Sequence, residues 1–253
     1  MDAPEHLPPP VRVLNETGAS PYVLLCEHAS RFIPAAYRGL GLGDHDLARH
    51  IAWDIGAAQV ATCLSATLDA PLVLAGYSRL LIDLNRPPHS ETAIPEISET
   101  TSIPGNRGLS EAERARRISA YFDPFQAAVG HLLDARQAAG VQSTVIGIHS
   151  FTPVFKGFVR PWQAGILYRR ARVFGHALAE ALGGASSAIA ENEPYAIDDE
   201  SDYTVPVHGE ARGLDAVLVE IRQDLIADDE GAASWASRLA QALKSIEKRQ
   251  LYT

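Results

Sequence analysis

Val145-Ile-Gly-Ile148-His149-Ser150 is a short apolar run that ends abruptly in a histidine and a serine. Three other runs behave in a related way. Tyr22-Val-Leu-Leu-Cys26 is followed by Glu27-His28, Leu80-Leu-Ile82 by Asp83-Leu-Asn85-Arg86, and Val217-Leu-Val219 by Glu220-Ile-Arg222. Such runs are too short for helices and read as buried strands. Helical periodicity fills the intervals. Leu47, Ile51, Ile55, Ala58 and Ala61 repeat at helical spacing from Asp44 to about Leu68. Ser110 and Glu113 make a capping-box pattern, and Pro124 should split the helix that it opens. Residues 170–182 and 230–248 read as further helices. Alternating strands and helices indicate a three-layer α/β/α architecture around a mixed, largely parallel sheet. Pro71–Ala75 and Leu80–Leu84 are expected as adjacent buried strands. Residues 1–19 read as a tail ahead of a single α/β domain spanning 20–253.

In an open α/β sheet, ligands bind at the carboxyl ends of the strands. The polar clusters therefore converge on one edge, and the set points to a metal-assisted site for an anionic small molecule. The net charge of −9 argues against nucleic acid, whose binding needs a basic face. Two cysteines, Cys26 and Cys63, fit a reducing, cytoplasmic setting. No apolar stretch is long enough to span a membrane. The oligomeric state is not legible.

Imidazole is the commonest protein ligand for zinc, and catalytic zinc takes three protein ligands with one position open. His28 and His149, each at a strand end, are the candidate pair. Arg79, Asn85 and Arg86 offer forked hydrogen bonding to a carboxylate, although Arg79 and Asp83 could instead form a structural ion pair. Glu220 interrupts a strand that is apolar at nearly every other position. A carboxylate there is costly unless paired or functional, and desolvation would lift its pKa toward that of a general base. The plainer alternative is an ion pair with Arg222.

Glu27-His28-Ala-Ser30, Ser78-Arg79-Leu-Leu-Ile-Asp-Leu-Asn85-Arg86-Pro87, Ile148-His149-Ser-Phe-Thr-Pro153, Asn192-Glu-Pro-Tyr195 and Glu220-Ile-Arg222, in that order, resemble the N-formylglutamate amidohydrolase family. Parts of them also resemble zinc carboxypeptidases and aspartoacylases. The likeness spans roughly residues 22–245. It implies a phosphorylase/hydrolase-like fold, a zinc cofactor and hydrolysis of an N-acyl, most readily N-formyl, amino acid such as N-formyl-L-glutamate. It further implies that His28 and His149 are zinc ligands, Glu220 the general base, and Arg79 the stabiliser of the oxyanion. Asn85 and Arg86 would hold the substrate carboxylate, with Arg222 or Arg160 left for an acidic side chain. His208, beside Gly209, is expected in a loop near the cleft.

One departure stands out. Zinc carboxypeptidases place a glutamate ligand three residues after the first histidine, where this chain has Arg31. The third ligand is expected to be Asp54, on the apolar stripe of its helix, with Glu27 as the alternative; Asp54 could also pair with His50. A hydrolase of N-acetyl amino acids or peptides, and a non-catalytic binder of small carboxylates, remain as competing readings.

Overall fold

The computed structural model describes residues 7–183 and 188–250. Its strands in chain order are β1 (Val11–Leu14), β2 (Tyr22–Cys26), β3 (Leu72–Ala75), β4 (Ile97–Ser98), β5 (Thr101–Ser102), β6 (Thr144–Phe151), β7 (Val154–Phe155), β8 (Phe158–Val159), β9 (Ala164–Leu167), β10 (Ile189–Glu191) and β11 (Ala216–Arg222). The helices are α1 (Asp44–Leu47), α2 (Ala57–Leu68), α3 (Glu111–Arg117), α4 (Asp123–Ala138), α5 (Arg172–Gly183) and α6 (Asp229–Gln250). Seven strands form one sheet in the order β1-β3-β2-β6-β11-β9-β10, with small separate hairpins β4–β5 and β7–β8. The four central strands, β3, β2, β6 and β11, run parallel; β1 is antiparallel to β3, and β9 to β11.

Alternation along the strands divides the core in two. Leu24, Ile146, Val217 and Val219 face α2, α5 and α6. Val23, Leu25, Val145 and Leu218 face α4 and the loops beside it. The period of two thus assigns each strand residue a layer, which is the three-layer arrangement expected. In α6, Ala232, Trp235, Ala236, Leu239, Leu243 and Ile246 recur every three or four residues and are all buried. Ser110 caps α3 by accepting from the Glu113 amide at 3.2 Å. The helix does divide before Pro124, through a π turn at Ile118–Phe122.

After β3 the chain returns to β6 on the opposite side of β2. The carboxyl ends of β2 and β6 therefore flank the switch point of the sheet, where a crevice must open.

Three expectations need correction. The segment 1–19 contains β1, which closes the sheet edge by pairing Val11–Leu14 with Ala75–Leu72. Residues 44–68 are not one helix: α1 is a single turn, and Gly56 at φ 80° breaks the chain before α2. A Cβ on Gly56 would lie 2.0 Å from the Ile226 carbonyl oxygen, so this close approach demands glycine. Leu80–Leu84 is a buried series of turns instead of a strand. Its backbone is satisfied by side chains: the Leu80 carbonyl accepts from Asn106 Nδ2 at 2.9 Å and the Leu81 carbonyl from Arg117 Nη1 at 3.0 Å.

Candidate metal centre and active site

The site grows from the ends of the parallel strands. His149 is the sixth residue of β6 and pairs in register with Glu220 on β11. By alternation both continue the α4-facing layer beyond its last apolar residues, Val145 and Leu218. A Cβ on Gly147, two positions before His149, would lie 2.5 Å from Leu218 Cδ2 and 3.3 Å from His149 Nε2. Glycine there leaves room for the imidazole. His28 follows β2, and its carbonyl accepts from the Asp54 amide at 3.0 Å, which docks the irregular segment before α2. Ser150 strengthens this docking: its amide donates to Asp54 Oδ2 at 3.2 Å and its hydroxyl to the Ile55 carbonyl at 2.9 Å.

Three donor atoms converge. His28 Nδ1 lies 3.2 Å and His149 Nδ1 2.9 Å from Asp54 Oδ2, and the two Nδ1 atoms are 3.2 Å apart. A tetrahedral ion with ~2.1 Å bonds to nitrogen and oxygen would hold its ligand atoms ~3.4 Å apart. The triangle fits with a small expansion, and all three residues are buried. Asp54 lies on the turn before α2 and not on a helical stripe; the docking contacts, not amphipathicity, put it there.

Each imidazole is oriented from behind by a carboxylate, an arrangement that fixes the tautomer and strengthens the ligand. His28 Nε2 is 2.7 Å from Asp83 Oδ1, and His149 Nε2 is 3.2 Å from Glu27 Oε2. Glu27 faces the side of the sheet opposite Leu24 and Cys26, as alternation requires, and also accepts from the Thr204 hydroxyl. It backs His149 and is not one of the three converging groups. Asp83 accepts in addition from the Asn85 amide at 3.0 Å and from Arg79 through Nε, at 3.0 Å, and Nη2.

These contacts govern the charges. Burial alone would disfavour the imidazolium, yet Glu27 and Asp54 raise the His149 pKa well above its ordinary value. His28 is raised more modestly, because burial and Arg79 oppose Asp83 and Asp54. Burial also works against ionised Asp54 and Asp83, but the neighbouring imidazoles and Arg79 hold both below the usual carboxylate range. Glu220 goes the other way. Desolvation dominates, and its pKa is pushed up to about 7. Its Oε2 is buried without a hydrogen-bond partner.

A cavity of about 350 Å³ opens above the cluster. His28, Asp54, His149 and Glu220 line it, together with Arg79, Asn85 and Arg86. Arg79 directs Nη1 at Asp54 Oδ1, 3.3 Å away, besides its bonds to Asp83. Asn85 is occupied with the loop after β10: its Oδ1 accepts from the amides of Tyr203 and Thr204 at 3.2 and 2.9 Å. Arg86 donates to the Ser201 carbonyl.

Two of the arginines expected to meet substrate lie outside this lining. Arg222 turns to Asp224, at 2.8 Å, and to the Trp162 carbonyl. Arg160 is buried with its guanidinium 4.7 and 4.8 Å from the ring centroids of Phe155 and Tyr195, donating to the Tyr195 hydroxyl at 2.9 Å. Aromatic stacking satisfies an arginine there in place of a ligand. His208 is likewise outside the lining, with Nε2 2.6 Å from Gln126 Oε1 and a pKa lowered to about 4 by burial and Arg212. The structure adds Tyr195, His50 and Glu99 to the wall. Of these, Tyr195 fell within a segment that carried the family resemblance, and His50 had been weighed only as a partner for Asp54.

Residues 20–227 match the sequence profile of N-formylglutamate amidohydrolase. The chain belongs to that family. As a member of it, the chain is an amidohydrolase acting on a small molecule, and its buried His-Asp-His group could bind a metal. A crystal structure of a gene product of Agrobacterium tumefaciens is 42% identical, with a TM-score of 0.89 over 95% of this chain and 97% of that one. The fold is also that of a crystal structure titled N-formylglutamate amidohydrolase from Ralstonia eutropha JMP134, at 19% identity and a TM-score of 0.69 over 96% and 99% of the two chains. None of the curated proteins matches. Among the described residues, no helix is long and apolar enough to cross a membrane.

Proposed function

We propose that this family member is a zinc-dependent amidohydrolase that cleaves the formyl group from an N-formyl amino acid, of which N-formyl-L-glutamate is the family's type. The observation that carries this reading is a buried carboxylate, Glu220, whose Oε2 has no hydrogen-bond partner and which is strand-paired with one of three converging donors around a small cavity. His28, Asp54 and His149 would hold the ion. When bound, it supplies Lewis acidity, polarising the acyl carbonyl and acidifying water.

The remaining work falls to side chains of this chain. Glu220, with a pKa near neutrality, accepts the proton of the water that adds to the acyl carbon. It returns that proton to the nitrogen as the C–N bond breaks, giving formate and the free amino acid. Arg79 has five N–H donors and gives three of them to Asp83 and Asp54, which leaves two for the developing oxyanion. Arg86 offers its fork to the α-carboxylate, and Asn85 fixes the loop beside it. A non-catalytic carboxylate binder would have no use for a desolvated base of near-neutral pKa, which weighs against that alternative.

The test is amine and formate release from N-formyl amino acids by zinc-loaded and chelator-treated protein. Chelation should abolish turnover and added zinc restore it. Full activity in protein that contains no metal by elemental analysis would overturn the reading.

A further inference from the structure

Arg160 is 4% exposed, and among the described residues it makes no ion pair. Its guanidinium donates to two neutral oxygens, the Thr152 carbonyl at 3.4 Å and the Tyr195 hydroxyl at 2.9 Å. A buried cation held only by neutral groups is costly, yet the chain keeps one where an apolar side chain could pack. Its surroundings show what it holds. The guanidinium lies 4.7 Å from the Phe155 ring centroid, 4.8 Å from that of Tyr195 and 5.6 Å from that of Phe151. Phe155 and Tyr195 both line the cavity, and Arg160 stands behind them.

The two lining rings arrive on separate elements. Phe155 ends β7, and the turn after it, Lys156-Gly157, has φ of 48° and 82°, the paired positive values of a tight hairpin turn that matches strand twist. The Arg160 amide donates to the Pro153 carbonyl at 2.8 Å and closes the base of that hairpin. Tyr195 lies in the loop after β10, and at 42% exposure its ring is not fixed by packing alone. Arg160 bridges the two.

This bridge also directs the Tyr195 hydroxyl. A guanidinium only donates, so the phenol oxygen accepts from it and the phenol's own proton must go elsewhere. Among the described residues no acceptor for that proton is present, and the ring borders the cavity. Desolvation of the hydroxyl end and the neighbouring Glu220 carboxylate raise the Tyr195 pKa, against Arg160 and Arg79, so the group keeps its proton near neutral pH. We propose that Arg160 is a positioning residue, which holds Tyr195 beside Phe155 on the cavity wall and leaves the Tyr195 hydroxyl to donate to an oxygen of the bound N-acyl amino acid. The proposal rests on the amidohydrolase reading above.

The test uses the zinc-loaded full chain and the best N-formyl amino acid of the release assay. Tyr195→Phe should raise KM about tenfold and leave kcat within about threefold, the pattern of lost uniform binding. Arg160→Met keeps the stem and removes the fork, and should reproduce that split. The double variant should show no further rise, because both changes remove one interaction. Should Arg160→Met fail to fold, Arg160→Lys, which keeps the cation without the planar fork, carries the same expectation. An unmoved KM in Tyr195→Phe or in a folded Arg160 variant would overturn the proposal while leaving the amidohydrolase reading intact. So would a double variant whose KM rises by the product of the single effects. Turnover of no N-formyl amino acid by the wild-type protein would overturn the amidohydrolase reading itself, and this proposal with it.

Discussion

Glu220→Gln should make the metal-free protein more stable while removing its activity. The folded state holds the Glu220 proton up to a pKa of about 7, against an ordinary value of 4.5. Above pH 4.5 the unfolded chain releases that proton, whereas the folded chain must keep it or bury a charge. The wild-type penalty therefore builds between pH 4.5 and 7 and is complete above 7. At ~1.4 kcal/mol per pH unit, the displacement amounts to about 3 kcal/mol. Glutamine keeps the volume and never ionises, so the variant escapes this penalty. For a chain of this size, that corresponds to a Tm roughly 6–12 °C higher at pH 8.5, with the gap closing toward pH 5. Scanning calorimetry on chelator-treated samples measures it. Zinc-loaded Glu220→Gln should meanwhile lose about 10²–10⁴ in kcat. A variant that melts at or below wild type at pH 8.5, or that keeps turnover within tenfold, would refute the desolvated-base argument.

Other perturbations probe the ligand cluster. Asp83→Asn weakens the anchor behind His28 and should reduce zinc affinity about 10–100-fold in a chelator competition, whereas unchanged affinity would show that the His28–Asp83 contact does not tune the ligand. His149→Ala should lose the metal outright, which elemental analysis of dialysed protein would read; full occupancy would exclude His149 as a ligand. Because Glu27 and Asp54 raise the His149 pKa, the metal-free imidazole carries a proton at neutral pH that binding must displace. Titration calorimetry in buffers of different ionisation enthalpy should detect net proton release, and zinc affinity should fall as pH falls. Gly147→Ala places a methyl 2.5 Å from Leu218 Cδ2 and 3.3 Å from His149 Nε2, and should cost about 1–3 kcal/mol in denaturant unfolding along with a loss of metal affinity. A neutral result there would mean that the His149 ring has room to spare.

Strands buried on both faces were legible, because β2 and the leading parts of β6 and β11 (Val145–Ile148 and Ala216–Val219) are apolar runs too short for a helix. Leu80–Leu84 carries the same apolar signal for another reason. Its apolar side chains are buried in two core clusters, Leu80 and Leu81 in one and Ile82 and Leu84 in the other, and polar atoms of Asn106 and Arg117 bond its carbonyls in place of a ladder. A single sequence does not separate the two cases, since burial shapes composition and the partner that satisfies the backbone does not. β1 escaped notice because four residues on a sheet edge, behind Pro8-Pro9-Pro10, carry too little periodicity. Asp54 was reached through a helix that does not exist at that position. The apolar spacing across Leu47 and Ile51 belongs to the last residue of the one-turn α1 and to a buried turn residue, and Gly56 was the visible signal that the helix begins only afterwards.

The roles of Glu27 and Asp83 show what residue type alone omits. Both are acids next to candidate ligands, and from sequence either could coordinate an ion or support one. The decision lies in side-chain direction. Alternation sends Glu27 to the face on which His149 stands, where it meets Nε2 and leaves Nδ1 turned toward Asp54. Asp83 reaches His28 Nε2 because the turns after Ser78 bring it back, with the Ser78 hydroxyl donating to the Ala52 carbonyl and so tying those turns to the segment that carries Asp54. Each imidazole thus has one nitrogen committed to a carboxylate behind it and the other aimed at a common point. Two Nδ1 atoms and one carboxylate oxygen within 3.2 Å of one another, away from water, are stable only with positive charge among them. Protons on the imidazoles meet that need in the metal-free protein, and a divalent cation meets it with all three donors engaged at once.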